Sequence, residues 1–154
     1  MSIDVQRAFR ELMLRNSAVA ALVDRRVYPN SAAQTRPDEE PDSYIVYWLL
    51  DRTRPRTLKS PKRLAHTRIQ VDVYAREYAD AHNIADAVGL ATDGFNGTVE
   101  VTEDDTTEAL LLRSVELLTL EDIYEASADG REFGWHRVSI DFMIWHEMEI
   151  PVVV

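Results

Sequence analysis

Cysteine is absent from the 154-residue chain. That excludes disulfides, a thiolate nucleophile and any Cys-ligated zinc or iron–sulfur site, and it fits a reducing compartment. Glycine is scarce: five residues, at 89, 94, 97, 130 and 134, too scattered to form a phosphate-cradling loop. Long apolar runs are missing as well. Stretches such as Ala18–Val23 and Ile45–Leu50 fall far short of the ~20 residues of a membrane span. The N-terminus interleaves Asp4, Arg7, Arg10 and Glu11 with apolar residues instead of forming a leader core. The expectation is a soluble protein made without a cleaved leader and without a membrane partner. Positive charge is the minority: 17 Lys plus Arg stand against 27 Asp plus Glu, a net charge of −10. This argues against a non-specific binder of nucleic acid or anionic membrane. The length fits a single domain, 1–154, large enough to bury a core without staples.

What is present reads as an α+β chain. Residues 2–15 predict an amphipathic helix, with Val5, Ala8, Phe9, Leu12 and Met13 as one stripe, Ser2 as N-cap and Asp4 in the first turn. Ser17 is expected to cap a second short helix, Ala18–Val23. Val27-Tyr28-Pro29 is a brief extended piece, and 30–42 a solvated acidic loop. Alternation predicts strands over 43–52, 65–76, 109–120 and 133–147. The first is apolar on both faces, with Tyr44, Val46, Trp48 and Leu50 on one and Ile45, Tyr47 and Leu49 on the other. A helix over 78–92 buries Ala81, Ile84, Ala85, Val88 and Ala91, and Asp93-Gly94 ends it. Asp129-Gly130 signals a hairpin between the last two strands. The order α–α–β–β–α–β–β implies a mainly antiparallel four-stranded sheet with helices on one face.

Enzyme signatures are sparse. There is no His-Glu-x-x-His pair and no Gly-x-Ser-x-Gly elbow, and the histidines at 66, 82, 136 and 146 are far apart. His82 and Asp86 have an i, i+4 spacing that can hold a metal, although such pairs on a solvated helix face commonly make only a weak side-chain contact. The sharpest enzymatic alternative is a small metal-dependent hydrolase in which Asp72 and Asp141, mid-strand on polar faces, share a divalent ion or act as acid and base. Arg68 and Arg137 nearby offer the plainer reading, simple counter-charges. No cofactor is implied.

Charge segregation is the most unusual feature. Arg52, Arg54, Arg56, Lys59, Lys62 and Arg63 lie in one acid-free stretch with Pro55 and Pro61. Setting those six charges aside takes the rest of the chain to −16. Against a merely solubilising loop stands an arm that docks on something negative. DNA phosphate is one candidate. The base-free segment Glu100–Glu108 of a neighbouring copy, with Glu100, Glu103, Asp104, Asp105 and Glu108, is the preferred one, because an acidic body repels DNA and complementary patches set register between copies. The tail Ile150-Pro151-Val152-Val153-Val154 packs on its own core or adds to a partner's sheet edge.

Several stretches together resemble a known family. These are the helix ending Leu12-Met13-Leu14, Ala18-Val19-Ala20-Ala21-Leu22-Val23, Arg26-Val27-Tyr28-Pro29, and Pro41 ahead of Tyr44-Ile45-Val46-Tyr47. Arg68-Ile69-Gln70-Val71-Asp72-Val73-Tyr74-Ala75 leading into a helix completes the set. In order and spacing the chain is similar to the tail completion, or head–tail joining, proteins of long-tailed bacteriophages and prophages. The resemblance implies a small non-enzymatic α+β virion protein at the head–tail junction. It implies a homo-hexameric ring that terminates the tail tube, contacts tube protein and head connector, and lets DNA pass without specific binding. It brings no catalytic residue. The basic 52–63 and acidic 97–108 segments depart from the family's shorter members. A cytoplasmic adaptor that binds an acidic partner without ring symmetry is the remaining alternative.

Overall fold

The computed structural model describes residues 4–29, 43–53, 64–125 and 135–147, which form three helices and six strands. Helices α1 (Val5–Leu14) and α2 (Ser17–Val23) come first, followed by strands β1 (Val27–Pro29), β2 (Tyr44–Thr53) and β3 (Leu64–Ala75). Helix α3 (Tyr78–Thr92) then leads to β4 (Gly97–Glu103), β5 (Thr106–Glu125) and β6 (Trp135–Glu147). The strands form one sheet in the order β1-β2-β3-β6-β5-β4. Every neighbouring pair is antiparallel except β1 and β2, which run parallel.

Both long helices form where the apolar period is helical, and their stripes go inward. In α1, Val5, Ala8, Phe9, Leu12 and Met13 are all buried, and the Phe9 ring lies 5.1 Å from that of Phe142 on β6. In α3 the buried set includes Ala81, Ile84, Ala85 and Val88. These residues share one core with Ile45 and Tyr47 of β2, Ile69, Val71, Val73 and Ala75 of β3, and Val138, Ile140, Phe142 and Ile144 of β6. The helices therefore cover the odd-numbered face of β2, which its two-sided apolar pattern had left open. Burial pushes the Tyr47 phenol above its ordinary pKa, so it stays neutral in this core.

The sheet has six strands where the sequence predicts four. The extended piece at 27–29 joins as an edge strand: Arg26 carbonyl accepts from Ile45 N–H, and Arg10 Nε–H donates to the Val27 carbonyl across 3.0 Å. The second addition is β4, which supplies Val99 and Val101 to the core and pairs with the start of β5. The third predicted strand, 109–120, is 20 residues long. It bends through register shifts at 112–114 and 117–119, the extra residues that let a long strand twist.

Two helix caps also differ from expectation. Asp4 is the N-cap of α1, its carboxylate accepting from Gln6 N–H at 3.0 Å, and Ser2 lies outside the described residues. Asn16 rather than Ser17 caps α2. Its side-chain oxygen accepts from Ala18 N–H at 2.9 Å and Val19 N–H at 3.2 Å, since Asn16 is the last extended residue before the helix and Ser17 is already helical. The 30–42 loop, the Asp129-Gly130 turn and the valine tail lie outside the described residues as well. Asn16→Ala should lower unfolding stability by about 1 kcal/mol in urea denaturation, while Ser17→Ala stays within about 0.5 kcal/mol.

Candidate assembly surfaces

The face of the sheet away from the helices carries the chemistry. Asp72, on β3, is fully buried there. Trp48 Nε1–H donates to it at 2.8 Å, Gln70 Nε2 lies 3.0 and 3.1 Å from its two oxygens, and Arg137 Nη2 is 3.3 Å away. A buried carboxylate needs such a set, because transfer out of water is costly unless charge and lone pairs are satisfied. Beside this knot Tyr44 and Tyr74 stack with centroids 4.8 Å apart, Trp135 meets Tyr44 edge-on at 5.2 Å, and the Arg76 guanidinium sits 3.7 Å above Trp135. Tyr44 and Val46 are buried without belonging to the helix-side core, so this face has a small aromatic core of its own.

Asp141 shares the face, since Gln70 pairs with Asp141 and Asp72 with Ser139. The two carboxylates are thus diagonal neighbours, but each holds its own guanidinium: Asp72 has Arg137, and Asp141 has Arg68 at 3.2 Å. Among the described residues no cluster of three His, Cys, Asp or Glu side chains could hold a metal. His82 does not turn to Asp86; its Nε2 lies 2.6 Å from Asp122 of β5. The geometry is that of two separate ion pairs, each carboxylate facing its own guanidinium.

Of the basic segment, the described residues hold Arg52 and Thr53, at the end of β2. A bulge between Leu49 and Asp51 reverses the facing of β2, pairing Asp51 with Arg68 and Arg52 with Thr67. The reversal turns Arg52 toward the helix side, where Nη2 meets the Asp4 carboxylate at 3.3 Å. Both side chains are over a third exposed, so the pair is worth no more than ~1 kcal/mol, but it ties the root of the basic segment to the start of α1. Arg54, Arg56, Lys59, Lys62 and Arg63 lie outside the described residues. The acidic segment is a hairpin. Glu103 pairs with Thr106, and Asp104 and Asp105 form the two-residue turn with φ of 50° and 65°. Positive φ at both central positions is the turn that matches strand twist, and Asp tolerates it better than most residues. Glu100 on β4 pairs with Ala109 and Glu108 on β5 with Val101, so the two glutamates take opposite faces of the hairpin, and the Thr102 and Thr107 hydroxyls meet at 2.9 Å. Alternation in Thr98-Val99-Glu100-Val101-Thr102 followed by paired aspartates was the signal for this hairpin, hidden by its acidity.

One buried histidine lies near the Arg52 root. His146 Nε2 is 2.7 Å from Thr67 Oγ1, and Nδ1 is 3.1 Å from the Glu147 carbonyl. With Nδ1–H donating to that carbonyl, Nε2 accepts the threonine hydroxyl, the arrangement of a neutral ring. Burial lowers its pKa below the ordinary 6.5; the Glu147 carbonyl works against this, Arg52 adds to it, Asp4 opposes it and His66 adds slightly.

With the geometry in hand, the chain can be placed among known proteins. A family model described as tail completion protein gp17 matches residues 7–147. The chain belongs to that family. It is a structural phage tail protein, and its place is the virion. Comparison with curated proteins finds no match. Among solved structures, a chain from the virion of a native gene transfer agent particle is similar in fold, with a TM-score of 0.66 at 17% identity, over 93% of this chain and 94% of that one. In this tail completion protein the ion pairs and the aromatic stack join side chains of β2, β3 and β6 on that face of the sheet.

Two outcomes follow. Asp72→Ala, which removes the buried acceptor shared by Trp48, Gln70 and Arg137, should cost about 3–5 kcal/mol in denaturant unfolding, whereas Asp141→Ala at the half-exposed pair should cost no more than ~1 kcal/mol. His146 gives a pH signature. Its folded pKa lies below the unfolded value, so the unfolded chain binds the proton more readily. Stability from this group is complete above pH 6.5 and falls as pH drops below it. Urea unfolding between pH 7.5 and 5 should show a shallower decline for His146→Gln than for the parent.

Proposed function

We propose that the chain is the subunit of a six-membered ring at the head-proximal end of the phage tail, where it ends tube growth and presents the docking surface for the head connector. The observation that carries this reading is the family match across residues 7–147. Its partners are further copies of itself, the tail tube protein and the connector. DNA crosses the ring without specific binding, and a body of net charge −10 favours this by repulsion.

Ring closure needs a heterologous contact, one patch on each copy meeting a different patch on the next. Segregated charge supports that geometry: the basic segment Arg52–Arg63 and the acidic hairpin Glu100–Glu108 are opposite in sign, and both serve as contacts between subunits or between stacked rings. Arg52, held by Asp4, sets the root of the first; the paired Asp104-Asp105 turn presents the second.

Native mass spectrometry over a range of protein and salt concentrations tests the ring. A discrete six-subunit species that dissociates as salt rises is expected, because screening weakens contacts between exposed charges. Reversal of Arg54, Arg56 and Lys59 to Glu should leave the circular dichroism spectrum unchanged and abolish that species. Monomers at every concentration, with purified tail tube present as well as without it, would sink the reading.

A further inference from the structure

Leu90 of α3 is 88% exposed, the most open of the large apolar side chains among the described residues. It shares an exposed stripe with Ala79, Asn83 and Asp86, the positions of α3 that face away from the core. A lone exposed leucine needs no explanation, but this one has apolar company. α2 packs beside α3, and its outward side is Ala18, Ala21 and Leu22, all exposed, Leu22 at 40%. The Arg15 guanidinium, just ahead of α2, lies 4.7 Å over the ring of Phe95, three residues past the end of α3. α2 therefore starts where α3 ends, beside Leu90. The leucines and alanines make one apolar surface on the outside of the helix layer.

Charge around that surface is split by sign. α3 has no Lys or Arg, and Asp86 and Asp93 border Leu90 one turn to either side. The bases stand with α2: Arg15 ahead of it and Arg25 after it, with Asp24 beside the latter. Asp86, Asp93, Arg15 and Arg25 are all exposed. A partner of one sign would match only half of these margins. A second copy matches both, because a contact built on a two-fold axis needs one patch that complements itself. With the axis between α2 and α3, Leu90 of each copy falls on Ala18, Ala21 and Leu22 of the other. The acidic margin of each α3 then faces the basic margin of the other copy's α2. Short side chains on α2 let a neighbour's leucine come close.

Size sets how firm such a contact is. α3 has 15 residues and is about 22 Å long, and two packed helices are about 20 Å wide. The patch is then about 400 Å² per copy, at the small end of specific interfaces, the class that forms at high subunit concentration and exchanges.

We infer that the α2–α3 face is a two-fold contact between two copies of this chain, with Leu90 as its centre. It does not depend on the six-membered ring, and it uses neither the basic segment nor the acidic hairpin. It shields Leu90 and Leu22 from water in the free subunit.

Sedimentation velocity of the full chain from about 10 μM to about 1 mM reads the contact, since an interface of this size exchanges in that range. A dimer that grows with concentration is expected. Leu90→Gln keeps a good helix former at an exposed position. It should leave the circular dichroism spectrum unchanged and raise the dimer dissociation constant about 100-fold, about tenfold for each leucine uncovered. The chain has no native cysteine, so Leu90→Cys and Ala21→Cys variants, mixed and oxidised, should give a covalent dimer if the contact brings those positions within the ~7 Å a disulfide spans. Leu120→Cys mixed with Ala21→Cys is the comparison and should cross-link far less. Monomers throughout, a dimer indifferent to Leu90→Gln, or equal cross-linking of the two mixtures overturns this contact and leaves the ring reading as it stands. A hexamer that is lost in Leu90→Gln makes the face a ring contact and overturns the two-fold.

Discussion

Among the described residues three helices lie over one face of a six-stranded sheet, and most of the architecture answers that one-sided cover. α1 and α3 lie across one face and close a single core against β2 through β6. Among the described residues no helix covers the second face. It is finished instead by side chains that satisfy one another: Asp72 within its set of donors, Arg68 with Asp141, Arg113 with Glu147 at 2.7 Å, and the stacked tyrosines with Trp135. Cross-strand pairs of this kind are the unit from which a half-solvated sheet gains stability.

The two strands at the far side of the sheet are unequal. The crossover through α3 carries the chain from the middle of the sheet to that side, where β4 is seven residues long and β5 is 20. β4 pairs with β5 only from Thr106 to Leu112. The rest of β5, Ser114–Glu125, carries Glu116, Glu121, Asp122 and Glu125 and no base, and charge of one sign along a strand discourages pairing with a like strand.

Much of this was readable in the chain. The stripe Val5, Ala8, Phe9, Leu12, Met13 and the helix Tyr78–Thr92 follow from helical period, and β3 and β6 from strict alternation over a dozen residues. The charge segregation and the tail completion resemblance also lay in the order of residues. β4 was missed because the acids of Glu100–Glu108 stood out as a charged patch and masked the alternation Thr98-Val99-Glu100-Val101-Thr102. Asn16 and Asp4 displaced the serines expected as caps because which polar residue falls on the last extended position is decided by where packing starts the helix.

Local pattern by itself determined the elements, the unequal distribution of charge and the family, since each depends on neighbours within a few residues or on their order along the chain. Only the tertiary structure decided which face of β2 is buried, that Asp72 and Asp141 answer to separate arginines, that His82 meets Asp122 rather than Asp86, and that β5 runs past β4. These are long-range matters. Residues 72 and 137, 82 and 122, or 97 and 112 meet through sheet order and register, and a bulge of one residue at Leu50 is enough to turn Arg52 from one face to the other.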